Sequence, residues 1–132
     1  MRADRHRVGL IRRGCHLPGA GRGPRSAIDP VVARRQWWLL HVAHPLGRYR
    51  RLVRSGDRIA ASLADPYCGV AAVRDELEAA RSLLPPRSRA ELRRALAPLD
   101  EEFRRRTYRD PRPLIWPGGI TAPWWWRRLP DR

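Results

Sequence analysis

The chain has 132 residues, with 28 basic and 13 acidic side chains, a net charge of +15, two cysteines, 13 prolines and ten glycines. That length holds one small domain with flexible ends and excludes a large multidomain enzyme. Every basic residue is arginine, and lysine and asparagine are both absent. Both missing residues have codons beginning AA, so a GC-rich genome accounts for arginine in place of lysine. It does not account for the charge itself, because aspartate and glutamate also have GC-ending codons. Two-thirds of the excess lies in the first 65 residues, a field that attracts polyanions without specifying which.

Residues 1–29 scatter glycines and prolines among seven arginines and show no period of 2 or 3.6. The stretch reads as a disordered basic tail or, if a GTG codon starts translation at Val31 or Val32, as sequence outside the protein. Cys15 and Cys68 cannot form a disulfide framework, and no secretory apolar region follows the N-terminal charges. The longest apolar run, Trp37 to Ala43, is too short to span a bilayer. The expected location is cytoplasmic, with no transmembrane segment.

Residues 30–106 carry helical patterning. Asp29-Pro30 is a start signal, since the Asp carboxylate accepts from first-turn amides and Pro lacks the amide that would go unbonded there. Leu39, Val42, Leu46, Tyr49 and Val53 then recur at steps of three and four. Pro45 should kink or split this segment near His44, and a second piece should run from about 46 to 64, with Ile59 and Leu63 on the same face. Asp65-Pro66 repeats the start signal before Val70, Val73, Leu77, Ala80 and Leu84, a face that Pro85-Pro86 must end. Ser88 with Glu91 fits a capping box ahead of Leu92, Leu96, Leu99 and Phe103, and Pro98 should kink that helix or start a new turn. Glu101 with Arg105 and Glu102 with Arg106 are favourably ordered pairs four residues apart.

The fold expected is all-α: a small bundle built around an antiparallel hairpin over residues 66–106, with a disordered N-terminal tail and an irregular Pro/Trp-rich arm over residues 107–132. Seven prolines and glycines between Pro111 and Pro130 argue against a continuous helix or central strand in that arm. Its tryptophans argue against an ordinary solvated linker. The arm should fold back over the bundle's apolar seam with Trp116 and at least one of Trp124, Trp125 and Trp126 substantially buried, because a core this small benefits from a hydrophobic strap.

No catalytic motif, phosphate loop or cofactor signature is present. Adjacent carboxylates such as Asp75-Glu76 point in different directions on a helix, and Gly19-x-Gly21-x-Gly23 lacks both strand and spacing. Cys68, in the first turn of its expected helix, reads as an inert thiol, buried or partly so. His41-x-x-His44 could place two imidazoles on one face, but Pro45 disturbs the backbone there and no carboxylate follows at metal-ligand spacing. Arg34, His41, His44, Arg48 and Arg51 fall within about 100° of arc opposite the apolar face. Guanidinium groups bind phosphate or carboxylate bidentately, so this stripe is the candidate anion-binding site. The plain alternative is a solvated helix face.

Trp124, Trp125, Trp126, Arg127 and Arg128, after Pro123, are similar in composition to short Trp/Arg-rich membrane-active peptides, a resemblance over about six residues that implies lipid-interface contact. The leading expectation is a non-catalytic binding module for an anionic macromolecule, either nucleic acid or an acidic protein surface. Peripheral membrane association through the arm, and a small metal protein or enzyme using His41 and His44, are the rivals.

Overall fold

The computed structural model describes residues 29–55 and 58–130; the expected tail over residues 1–29 lies outside them except for Asp29. The first helix, α1 (Pro30–Trp38), begins as its residues predict: Asp29 Oδ1 accepts from the Val31 amide at 2.9 Å and Pro30 occupies the first helical position. A single wide turn, Leu39–Ala43, follows, in which the His44 amide donates to the Leu39 carbonyl five residues back. It leads into α2 (His44–Arg54), whose second residue is Pro45. Proline lacks the donor that an α-helix would use against the carbonyl four residues earlier, and its ring crowds that carbonyl. A π-type turn immediately upstream absorbs both problems without breaking the rod.

The expected helix over residues 46–64 is two helices. Ser55 leaves helical geometry at φ −90° and ψ 82°, and α3 (Arg58–Ala64) is separate. The signal at Asp65-Pro66 is also displaced. Asp65 Oδ1 accepts from the amides of Tyr67 and Cys68, at 2.9 and 3.0 Å, and so closes a turn rather than a helix. Helix α4 (Val70–Leu83) starts only after Gly69, whose backbone is extended. Its first amide, on Val70, donates to the Ser62 hydroxyl of α3 at 2.7 Å. Cys68 is therefore outside the helix and exposed.

Gly69 is required by proximity. A Cβ there would sit 2.0 Å from the Ser62 carbonyl oxygen and 2.4 Å from that of Asp65. Both are backbone atoms that cannot rotate away. Gly69→Ala is expected to cost about 3 kcal/mol by forcing α3 and α4 apart. Denaturant unfolding checks this, and a midpoint equal to wild type would show that the two helices can separate freely.

Pro85-Pro86 ends α4 and opens α5 (Pro86–Arg105), with Pro86 at the first helical position. The capping box does not form: Ser88 lies inside the first turn, buried, and Glu91 turns to Arg94 at 2.5 Å. Nor does Pro98 end the helix, which continues through it. Glu102 rather than Glu101 gathers the arginines, Arg106 at 3.2 Å and Arg105 at 3.8 Å. Helices α4 and α5 form the expected antiparallel hairpin, Arg74 near the start of α4 meeting Asp100 late in α5. The phased residues Val42, Leu46, Tyr49, Val53, Ile59, Val70, Val73, Leu77, Ala80, Leu84, Leu92, Leu96, Leu99 and Phe103 all enter one core.

The protein is mostly helical, but the arm is more ordered than an irregular segment. Strand β1 (Thr107–Arg109) pairs antiparallel with β4 (Arg128–Pro130), Thr107 opposite Pro130, and β2 (Ile115–Trp116) pairs with β3 (Ile120–Thr121). Prolines forbid a long ladder yet tolerate pairs this short when they stand at strand ends. The β2–β3 turn has Pro117 followed by Gly118 at φ +87° and Gly119 at φ +75°, with the Gly119 amide donating to the Trp116 carbonyl at 3.2 Å. Proline presets the first corner and only glycine readily takes the positive φ at the second.

A one-turn 3₁₀ helix, Trp124–Trp126, then lays the arm on the bundle. Trp125 is buried, while Trp124 and Trp126 are half-buried and pack against the core. Trp124 packs against Phe103 at a tilt (centroids 5.5 Å apart, planes at 45°) and lies under the Arg104 guanidinium (3.9 Å). The indole N–H groups of Trp125 and Trp126 both donate to Asp75 of α4, one to each carboxylate oxygen, at 2.7 Å. Trp116 is half-buried against Trp126. Arg128 closes the strap, donating to the Thr107 hydroxyl and to the carbonyls of Arg104 and Thr107 at the end of α5.

Candidate anion-binding face

From Pro30 to Arg54 the chain carries six arginines and no carboxylate. The amphipathic phase of α2 turns Leu46, Tyr49 and Val53 inward and leaves the arginines outside. His44, Arg48 and Arg51 line a shallow groove of about 470 Å³ with Leu40, Ala43 and Gly47. Gly47 has nothing within 4 Å of where a Cβ would stand, so the groove is open above it. Arg48 and Arg51 also border a larger groove of about 740 Å³, shared with Arg50, Arg54, Leu52, Ser55 and Cys68. Two guanidinium groups thus form a ridge between two concavities.

The five residues of the sequence stripe are not equivalent. Arg34, His41, His44 and Arg51 are exposed. His41 stands against Trp37 (centroids 5.2 Å apart), and neither His41 nor Arg34 lines either groove. Arg48 is half-exposed and donates to Glu76 of α4 at 2.7 Å. An ion pair this open to water is weak, so a stronger anion can take Arg48 from Glu76. Arg50 and Arg54, which the stripe omits, belong to the same face; Arg54 lies 3.8 Å from Glu102. Their signal is the dense run Arg48 to Arg54, legible once α2 is known to end at Arg54.

A second concentration of charge is internal. Asp100 accepts the Tyr49 hydroxyl at 2.5 Å and two donors of Arg74 at 2.9 and 3.1 Å, and Arg74 also reaches Glu78 at 3.0 Å. Glu78 is in turn paired with Arg81. Burial first, and then the Asp100 carboxylate, push the Tyr49 phenol far above its ordinary value and keep it neutral. The Arg81 hydrogen bond, with Arg74 adding and burial opposing, holds the Glu78 carboxyl below the usual range. Arg74 also stacks on Trp125 at 4.4 Å. Saturated by its own partners, this network works as a structural bolt.

The arm's indoles and Arg128 are turned toward the bundle, and Arg127 is half-buried. Among the described residues no group of three or more His, Cys, Asp and Glu side chains is placed to hold a metal ion. Nor, among them, is any helix long and apolar enough to cross a membrane. Fold and face together define a small, mostly helical protein with an arginine ridge on one side and a docked C-terminal strap. No protein-family model matches the chain, and no curated protein or solved structure matches it.

Proposed function

We propose that the protein is a non-catalytic binding module that holds the phosphate backbone of a nucleic acid on the α1–α2 face. The observation that supports this reading is the run of six arginines without a carboxylate, arranged so that Arg48 and Arg51 stand between two open grooves. Phosphates are spaced anions, and a row of guanidinium forks with imidazoles beside it offers matching donors. Such contacts fix position and carry little base information, so the binding is expected to be sequence-tolerant.

Counterion release provides the test. With about five phosphates engaged, log K against log salt on duplex DNA should have a slope of roughly −4 to −5. Replacing Arg34, Arg48 and Arg51 together by Gln should flatten it by about 2 to 3 units. An unchanged slope would move the binding off this face. Binding to an acidic polypeptide but not to DNA would transfer the face to an acidic protein partner.

A further inference from the structure

Between Arg112 and Arg127 the chain carries no charged side chain, although charged residues make up 31% of it. The β2–β3 hairpin lies within this stretch and projects its aliphatic residues outward. Ile120 is 62% exposed, Ile115 55% and Leu114 39%. Register puts Ile115 beside Thr121 and Trp116 beside Ile120, so the two isoleucines stand on opposite faces of the ribbon. Trp116 lies half-buried where the hairpin meets the strap. The glycine turn is open, with nothing within 4 Å of a Cβ built at Gly118 or Gly119. Arg109 and Arg112 stand exposed just before the hairpin; Arg112 donates to both carboxylate oxygens of Asp110, at 3.0 and 2.9 Å, in an ion pair open enough to water for a phosphate to compete for it.

We infer that this hairpin is a lipid-surface contact, in which Leu114, Ile115 and Ile120 enter the headgroup–acyl boundary of an anionic bilayer while Arg109 and Arg112 meet its phosphates. Three observations favour lipid over a second protein surface. A finger that is apolar on both faces is enclosed by a fluid medium, whereas a flat partner covers only one face. Pro113, Pro117 and Pro123 offer no backbone donor, which reduces the polar groups to be desolvated and obstructs strand addition by a second copy. The net charge of +15 complements an anionic leaflet, and an aliphatic tip with indole and arginine behind it follows the polarity gradient of the interface. The three aliphatic residues are distinct from the α1–α2 face, so the two readings can fail separately.

The test is partition of the full chain onto phosphatidylcholine vesicles with and without phosphatidylserine. Wild type is expected to bind the anionic vesicles and to keep part of that binding in high salt. I115S/I120S should partition at least about tenfold less, with unchanged melting, because both side chains are already in water. L114S alone should move in the same direction. Substituting Arg34, Arg48 and Arg51 by Gln should leave the high-salt fraction intact. Loss of all vesicle binding in high salt, or equal partition of I115S/I120S and wild type, would overturn the inference. So would a self-association that I115S/I120S abolishes while vesicle binding stays the same.

Discussion

Asp75→Ala is expected to lower the melting temperature by about 12–24 °C and to shift tryptophan emission toward the red. One carboxylate accepts two consecutive indole N–H groups, from Trp125 and Trp126, at 2.7 Å each. Hydrogen bonds to a charged group contribute about 1.5–3 kcal/mol apiece, and half-exposure at this site favours the lower figure. Together they amount to about 3 kcal/mol, in a domain where each kcal/mol moves the midpoint by about 4–8 °C. Asp75→Asn should fall between wild type and alanine, since its single amide oxygen can serve one indole while its NH₂ group opposes the other. Removing the arm after Thr107 should be more severe, because Phe103 then loses Trp124 and the Arg104 carbonyl near the end of α5 loses Arg128. Equal melting of Asp75→Ala and wild type would mean that packing alone holds the strap.

Asp100→Ala should be at least as damaging, at about 3–5 kcal/mol, because it strands the Tyr49 hydroxyl and leaves the Arg74 guanidinium with Glu78 alone. Arg74 is 6% exposed and loses both of its hydrogen bonds to the Asp100 carboxylate in that variant. Replacing Tyr49, Arg74 and Asp100 together by Phe, Met and Leu should recover most of the loss, since a buried ionic cluster contributes little beyond an apolar one of similar volume. A triple variant no more stable than Asp100→Ala would show that the cluster is worth more than its desolvation. The same bolt predicts two pH limits. Glu78, depressed in the folded state, contributes stability that is present above the ordinary glutamate range and is lost as pH falls through its lower folded value. Tyr49, raised, contributes stability that is complete below the ordinary phenol value of 10.0 and is lost as pH climbs above it. Its phenolate absorbance should accordingly appear only with alkaline unfolding.

Helix faces were legible because burial of a single helix is written in local spacing: the phased residues from Val42 to Phe103 occupy the core. Boundaries were less so. Asp65-Pro66 satisfies a local rule equally well as a turn or as a helix start, and the choice rests on Gly69 approaching the carbonyls of Ser62 and Asp65. Pairings across fifty residues, such as Asp75 with Trp125, leave no trace in local periodicity. The bolt did leave one: Arg74 lies four residues after Val70 and three before Leu77, and Asp100 holds the same place between Leu96 and Phe103. A charged residue inside an apolar stripe must find a partner, and two such residues of opposite sign on adjacent helices of a hairpin indicate each other. On the basic face, sequence spacing found the solvent side of α2 but could not reveal that Glu76 reaches Arg48, nor that Arg34 and His41 line neither groove.

The strap is also made after the surface it covers. Helix α5 ends at Arg105 and the indoles that cap the bundle begin at Trp124, so at about 5–20 residues per second the ribosome completes α5 roughly one to four seconds before it completes the strap. Throughout that interval Phe103 lacks its indole lid, and Asp75 and Arg74 face water instead of Trp125. The bundle closes over contacts as distant in sequence as those of the strap, Tyr49 to Asp100 and Asp75 to Trp126 each spanning 51 residues, so order of synthesis rather than contact distance puts the strap last. Until Trp125 reaches Asp75 the chain is therefore expected to leave this side of the bundle open to proteolysis.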